Sequence, residues 1–171
     1  MRVLKFGGSS LASVARFLEV AAITRTQQGT EATALVLSAP QGVTNLLVEL
    51  AELASRSADY QQALQKWRDK LTAMVAEAGA VVGPAACQQL QPVLAAQDQL
   101  LSNRLHGASL LGFCPDHIKA TLHGLGEQFS VALMTALLQA QGVQAVLLDS
   151  VQCVKSQGDY LNAVADVAAS E

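Results

Sequence analysis

The sequence has few aromatic residues, few charged residues and no cluster of basic ones. Aromatic residues make up only 4% of its 171 positions, which disfavours an aromatic-rich β-sandwich and favours helices packed on a sheet through Ala, Leu and Val. With 51% hydrophobic and 15% charged residues, the chain can form one compact core and is not intrinsically disordered. The net charge of -3 and the scattered Lys and Arg residues provide no binding surface for nucleic acid. We therefore expect an α/β protein without a nucleic-acid partner.

Long hydrophobic runs and paired cysteines are also missing. No apolar run is long enough to span a bilayer, and the first segment lacks the apolar core of a signal peptide, so we expect a cytoplasmic protein with no membrane partner. Cys87, Cys114 and Cys153 are odd in number, far apart and never in a C-x-x-C pair. This spacing predicts reduced cysteines that serve packing, and neither a disulfide framework nor a zinc site.

The three histidines do not form a ligand set. None shares a short spacing with Cys, Asp or Glu that would hold a metal ion. We therefore expect no metal site, and we assign all three to the surface or to loops: His106, His117 and His123.

A βαβ unit is predicted at the start of the chain. Arg2 to Phe6 has the character of a short strand, and the apolar spacing from Leu11 to Gln28 predicts a helix. Ser9 or Ser10 is placed to cap that helix. The continuous apolar run from Ala32 to Leu37 predicts a second strand, buried on both faces of a parallel sheet.

Polar loops follow both predicted strands. Lys5 and the segment Gly7 to Ser10 follow the first, and Ser38 to Asn45 follows the second and leads into a predicted helix from Leu46 to Ala54. Because the carboxyl ends of parallel strands lie at one edge of a sheet, both loops should open on the same side. Glycines let backbone N–H groups approach an anion closely, and a lysine supplies positive charge. This combination predicts a phosphate site.

The middle of the chain predicts an antiparallel helical hairpin. Its two helices run from Tyr60 to Glu77 and from Ala85 to Leu105, with Gly79 to Pro84 as the break. We expect the hairpin to form an insertion, or lid, beside the sheet.

The last third predicts a return to the sheet. Helical patterns cover Pro115 to Leu122 and Val131 to Gln141, and Gly142 ends the second. A strand is expected from Val143 to Leu148 and a helix from Asp159 to Ala169.

Glycine patterns exclude two common nucleotide motifs. The segment HGLGEQF carries Phe129 where a dinucleotide fingerprint needs its third glycine, and no strand leads into it. A Walker A loop has its lysine after the glycines, whereas Lys5 precedes them. Glu127 stands at the start of an apolar helix, where a carboxylate can be functional or can simply stabilise the helix dipole.

Several segments together resemble the aspartokinases. They are KFGGSS at residues 5–10, VLSAP at 36–40, VTN at 43–45, and Gly126-Glu127 ahead of Ser130. The segment HGASLLGFCPD at 106–116 is similar to the threonine-sensitive bifunctional aspartokinase–homoserine dehydrogenases. The resemblance covers essentially the whole chain.

The resemblance implies a fold and a reaction. The fold would be the amino-terminal lobe of an amino-acid-kinase domain, a three-layer α/β/α sandwich with a mostly parallel sheet and a helical insertion at about 56–122. The reaction would transfer the γ-phosphoryl group of ATP, bound with Mg²⁺, to the β-carboxylate of L-aspartate.

Roles for individual residues also come from the resemblance. Lys5 would neutralise charge on the migrating phosphoryl group, and the backbone N–H groups of Gly7, Gly8 and Ser9 would bind its oxygens. Ser38 and Thr44 would hydrogen-bond the aspartate, and Glu127 would pair with its ammonium group.

Two hypotheses for the isolated chain remain open. No segment resembles the nucleotide-binding half of such kinases, their regulatory domains or the dehydrogenase, so the chain can be a lobe that is inactive alone and binds no cofactor tightly. Alternatively, it is a non-catalytic module that binds an amino acid or phosphate and associates with a partner kinase chain. Under the first hypothesis the sheet should end on an exposed strand edge, which would favour a homo-oligomer.

Overall fold

The structure, a computed structural model, describes residues 1–27 and 32–170. Four strands are present in this part of the chain: β1 (Arg2–Phe6), β2 (Thr33–Leu37), β3 (Lys155–Gln157) and β4 (Val164–Asp166). A 3-10 helix covers Gly8–Leu11. The α-helices are α1 (Val14–Gln27), α2 (Val43–Ser55), α3 (Gln61–Val82), α4 (Pro84–Leu111), α5 (Asp116–His123), α6 (Leu125–Ala140), α7 (Ser150–Cys153) and α8 (Val167–Ser170).

The βαβ unit is confirmed, but the sheet is small. β1 and β2 pair in parallel from Arg2 opposite Thr33 to Phe6 opposite Leu37. Ser38 N–H donates to Phe6 O at 3.1 Å and so extends the pairing past the strand ends. Among the described residues β3 and β4 form a separate antiparallel pair. The described part of the chain is thus mixed α/β and mostly helical, with two small sheets.

The two faces of the parallel pair differ in exposure. Phe6 and Leu37 pack against the core. Lys5 and Val36, which lie opposite each other in the ladder, belong to the other face, where Val36 is 49% exposed. The prediction that the second strand is buried on both faces is therefore wrong, because this second face of the described strand is exposed at Val36.

The predicted helical hairpin is confirmed as α3 and α4. Gly83, with a φ of 104°, makes the break between them. Arg68 on α3 forms a two-pronged ion pair with Asp98 on α4, with N–O distances of 2.6 and 3.2 Å. Trp67 is fully buried, and the hairpin packs on α2 and α6 as part of the core. The expectation that the hairpin is an insertion, or lid, beside the sheet stays a prediction.

Several helices begin earlier than the apolar pattern predicts. α2 begins at Val43 and not at Leu46, and α6 begins at Leu125 and not at Val131. Neither Ser9 nor Ser10 caps the first helix, since Ser13 Oγ accepts the N–H of Arg16 at 3.4 Å. Gln28, the predicted end of that helix, lies outside the described residues.

The two elements predicted near the carboxyl end are wrong. Residues 143–148 form no strand and lie beside β2 across a groove of about 590 Å³, with Val146 88% exposed. The segment 159–169 holds β4 and the start of the short α8 in place of one helix. In the described part of the chain no strand pairs with residues 143–148, whereas Val164–Asp166 pair with β3 and so form a strand in place of a helix.

The cysteines and histidines differ in burial. Cys114 is buried, and this burial raises the pKa of its thiol. Cys87 is half-buried, whereas Cys153 is exposed, so the packing prediction is wrong for the last one. His106 and His117 are exposed on helices, and His123 is half-buried at the end of α5.

Candidate functional site

Three segments meet at Ala39, in the loop after β2. A β-carbon on Gly8, in the loop after β1, would lie 3.2 Å from Ala39 O, and one on Gly126 would lie 2.5 Å from Ala39 Cβ. Glu127 Oε1 accepts a hydrogen bond from Ala39 N–H at 3.2 Å. The two glycines are needed here because larger residues would separate the segments. Both loops and the first turn of α6 thus meet at one residue, Ala39.

Glu127 is the charged residue at this junction. It lies in the first turn of α6, where the helix dipole favours a carboxylate. One carboxylate oxygen is bound to Ala39 N–H, and the other is buried without a hydrogen-bond partner among the described residues. A buried carboxylate oxygen without a partner is costly, so this atom is available to a ligand cation or N–H group.

The loop after β1 presents backbone N–H groups. Ser10 N–H donates to Gly7 O at 3.0 Å, which is the first turn of the 3-10 helix. The N–H groups of Gly8 and Ser9 precede that bond and have no acceptor within the helix. They are donors that an anion can use.

Lys5 is exposed on β1, just before this loop. No carboxylate among residues 1–27 and 32–170 lies within ion-pair distance of its ammonium group. The positive charge is therefore available to a ligand.

Ser38 and Thr44 flank the junction. Both are half-buried, and their hydroxyl groups have no hydrogen-bond partner in the part of the chain that is described. Ser38 precedes Ala39, and Thr44 follows Val43, whose Cγ1 would lie 3.2 Å from a β-carbon on Gly126. A left-handed turn at Gly42, with a φ of 80°, starts α2 at this place. Both hydroxyls thus lie next to the contacts that join the loops.

His123 is a neighbour of the site that the sequence assigns only to the surface or to loops. Burial lowers the pKa of its imidazole, the charge of Lys119 lowers it further, and the charge of Glu127 acts in the opposite direction. The neutral imidazole is therefore favoured in the fold. The available signal in the sequence is that His123 lies four residues before Glu127. This spacing alone does not show whether the two side chains are close, because a coil and a helix at this point would place His123 differently.

The arrangement has a defined chemical capacity. Contacts through Ala39 join Gly8, Gly126 and Glu127, and the other predicted residues are near neighbours of these in sequence. Anion donors and an unpaired carboxylate oxygen therefore occupy one region, which suits a ligand with both a negative and a positive group.

The described residues provide neither a cluster of metal ligands nor a membrane-spanning helix. No group of three or more His, Cys, Asp or Glu side chains is placed to hold a metal ion in residues 1–27 and 32–170. In those residues, none of the helices combines the length and the apolar character that crossing a membrane requires.

Comparison with known proteins decides the family. The profile of the Amino acid kinase family matches residues 1–169. The chain belongs to the amino acid kinase family.

Two relatives of the chain are named bifunctional aspartokinase/homoserine dehydrogenase. That of Buchnera aphidicola (subsp. Acyrthosiphon pisum) is 28% identical over 172 residues, and that of Haemophilus influenzae is 30% identical over 174 residues. The matches cover 100% and 99% of this chain. The chain spans about a fifth of the length of each relative, 21% in both cases.

Solved structures agree on the fold. Escherichia coli aspartokinase III, in complex with aspartate and ADP, superposes with a TM-score of 0.77 at 24% identity. The match covers 99% of this chain and 36% of that one. The same enzyme in complex with lysine and aspartate gives the same values.

Proposed function

We propose that this chain is the substrate-side lobe of an aspartate kinase. The reaction would transfer the γ-phosphoryl group of ATP to the β-carboxylate of L-aspartate, and the isolated lobe would need a nucleotide-binding lobe to turn over. Membership in the amino acid kinase family supports a kinase. The aspartokinase names of the relatives, and the aspartate and ADP bound to aspartokinase III, support this substrate pair.

The unpaired oxygen of Glu127 carries the proposal. Glu127 Oε2 is buried and has no partner among the described residues, while Oε1 is held by Ala39 N–H. An α-ammonium group supplies three N–H donors and a positive charge, which would satisfy this oxygen. The hydroxyls of Ser38 and Thr44, which have no hydrogen-bond partner in residues 1–27 and 32–170, would bind the remaining polar groups of the aspartate.

The phosphoryl group would be received by the loop after β1. The N–H groups of Gly7, Gly8 and Ser9 would bind its oxygens, and the Lys5 ammonium group would offset the charge that develops during transfer. No protein nucleophile is needed, because the β-carboxylate of aspartate attacks the γ-phosphorus and ADP leaves. The product is an acyl phosphate.

Mg²⁺ would enter as a companion of ATP. Among the described residues, no three His, Cys, Asp or Glu side chains cluster as metal ligands, so we assign none of them to Mg²⁺. The proposed role of this lobe is to position aspartate and the phosphoryl group.

We also propose a place for the lobe in a longer protein. It would form part of a three-layer sandwich whose remaining strands and nucleotide site lie in further chain, since it spans 36% of aspartokinase III and 21% of the bifunctional relatives. The names of those relatives include a homoserine dehydrogenase, and we do not assign that activity to the residues of this chain. The lobe would act in the cytoplasm.

Calorimetric titration with L-aspartate tests the proposal. We expect the chain to bind L-aspartate, and Glu127→Gln to weaken binding at least about 30-fold, since removing one member of a buried charge pair costs about 2 kcal/mol or more. Glu77→Gln, which changes an exposed residue of α3, is the matched control and should leave affinity unchanged. Equal affinities of the two variants, or no heat with aspartate, would contradict the proposal.

A non-catalytic binding module is the second candidate. The Glu127 oxygen that has no partner among the described residues, and the N–H groups of the loop after β1, support it, since they can bind an amino acid or phosphate without turnover. The two candidates differ when the chain is joined to the remainder of a relative's kinase domain. A lobe should then form aspartyl phosphate from ATP, whereas a binding module should not.

A further inference from the structure

One residue in the core stripe of α4 is polar. The buried residues of this helix are otherwise apolar or small, and they follow helical spacing: Ala86, Leu90, Gln97, Leu101, Leu105 and Ala108. Gln97 is only 6% exposed. A buried amide costs stability unless its hydrogen bonds are made, so its single bond identifies what it does.

That bond reaches the first residue of α6. Gln97 Nε2 donates to Leu125 O at 3.1 Å. Because a backbone carbonyl oxygen only accepts, the amide must present its NH₂ group to Leu125, whose side chain is itself buried. Gln97 Oε1 is buried and has no partner among the described residues. Within the part of the chain that the structure describes, the amide thus makes one hydrogen bond, to the helix that carries Glu127.

The first turn of α6 is held from two sides. On the hairpin side, Gln97 binds Leu125 O. On the loop side, Gly126 packs against Ala39, and Glu127 Oε1 accepts Ala39 N–H at 3.2 Å. Only Gly126 separates Leu125, which makes the hairpin contact, from Glu127, so a rotation or shift of this turn would move both.

We propose that Gln97 is a positioning residue, which fixes the first turn of α6 so that the Glu127 carboxylate stays on Ala39 and keeps its second oxygen directed to a ligand. This assignment rests on the proposed function only in naming an ammonium group as that ligand. Under this proposal the helical hairpin holds the Glu127 carboxylate in place through Gln97, in addition to packing in the core.

The ligand-free protein provides the first test. Gln97→Met keeps the length of the side chain and removes the donor, so the amide proton of Ala39 should move upfield in an NMR spectrum and exchange with solvent about threefold or more faster. Gln99→Met, at an exposed position on the same helix, is the matched control and should leave this proton unchanged. Gln97→Asn, too short to reach Leu125 O, should repeat the effect if the methionine variant fails to fold. An unchanged Ala39 amide in a folded Gln97 variant would overturn the proposal.

Affinity for L-aspartate provides the second test. We expect Gln97→Met to weaken binding about fivefold, and to have less than a twofold effect when Glu127→Gln is already present, because residues that act through one another are not additive. If the double variant loses affinity by the product of the two single losses, the two residues act independently. That result would overturn the positioning role of Gln97 and leave only a structural one. If the unmodified chain binds no aspartate, the proposed function fails, and the Ala39 amide still decides the role of Gln97.

Discussion

Gly126 and Ala39 touch so closely that the site has no room for one additional carbon atom. A β-carbon on Gly126 would stand 2.5 Å from Ala39 Cβ, well inside the contact distance of two carbon atoms. The contact joins the first turn of α6 to the loop after β2. The spacing between the Glu127 carboxylate and the Ala39 N–H group therefore depends on the absence of a side chain at residue 126.

Gly126→Ala should destabilise the fold. Overpacking against Ala39 should cost about 1–3 kcal/mol of the free energy of unfolding, measured by urea denaturation. Gly107→Ala is the matched control, because Gly107 is also inside a helix and nothing lies within 4 Å of its added β-carbon. The control should raise stability by about 0.5–1 kcal/mol. Equal effects of the two substitutions would refute the close contact.

Lys5→Ala should impair turnover selectively. In a complete kinase made by joining this chain to the rest of a relative's kinase domain, we expect kcat to fall by roughly a hundred- to thousand-fold, since one charge-stabilising group is lost. Lys66→Ala removes an exposed lysine of α3 and should have little effect. A steady-state assay of aspartyl phosphate formation measures both. Similar losses for the two variants would remove Lys5 from the site.

His123 should make stability depend on pH. Its folded pKa lies below its usual value of 6.5, so the unfolded chain takes up a proton more readily than the fold does. Stability from this group is present above pH 6.5 and is lost as the pH falls through 6.5 towards the folded pKa. The slope cannot exceed about 1.4 kcal/mol per pH unit for one group, and partial exposure reduces it.

Urea denaturation between pH 5 and pH 8 measures this dependence. His123→Gln should flatten the curve near pH 6, and His106→Gln, which changes an exposed histidine, should leave its shape unchanged. The pKa assignment would be wrong if both variants followed the curve of the unmodified chain.

The outer face of β1 and β2 should drive self-association. Among the described residues each strand has one partner, and Val36 is 49% exposed on that face. Light scattering should give a mass above the 17.9 kDa of one chain at high concentration. Val36→Lys should lower the measured mass towards that of one chain. Ile23→Lys, at a similarly exposed position on α1, should leave the measured mass unchanged. A strict monomer at every concentration would contradict this prediction.

Local periodicity predicted the helical hairpin, because α3 and α4 bury one stripe each and meet across a one-residue break at Gly83. It failed for residues 143–148, where β-branched and apolar residues satisfy a strand pattern without a strand to pair with in the described fold. Strand formation depends on a neighbouring edge, which sequence spacing does not contain.

The glycine loop and Glu127 are site residues that the sequence predicts, and their roles stay a prediction. The sequence does not indicate where they meet, since Ala39 lies 88 residues from Glu127 and contributes a backbone N–H group. Backbone donors carry no side-chain signature. Gln97 was hidden for a related reason: a glutamine in a helical stripe gives no sign in sequence of which distant carbonyl group it will bind.

The short break at Gly83 also bears on how the molecule assembles. Contacts between neighbouring helices close small loops, which form far faster than contacts between distant segments. The α3–α4 hairpin should therefore be structured early, and the bond from Glu127 to Ala39 should come late, as the chain closes an 88-residue separation. Substrate-binding capacity would then arise only in the final step of folding, on a helical scaffold that is already complete.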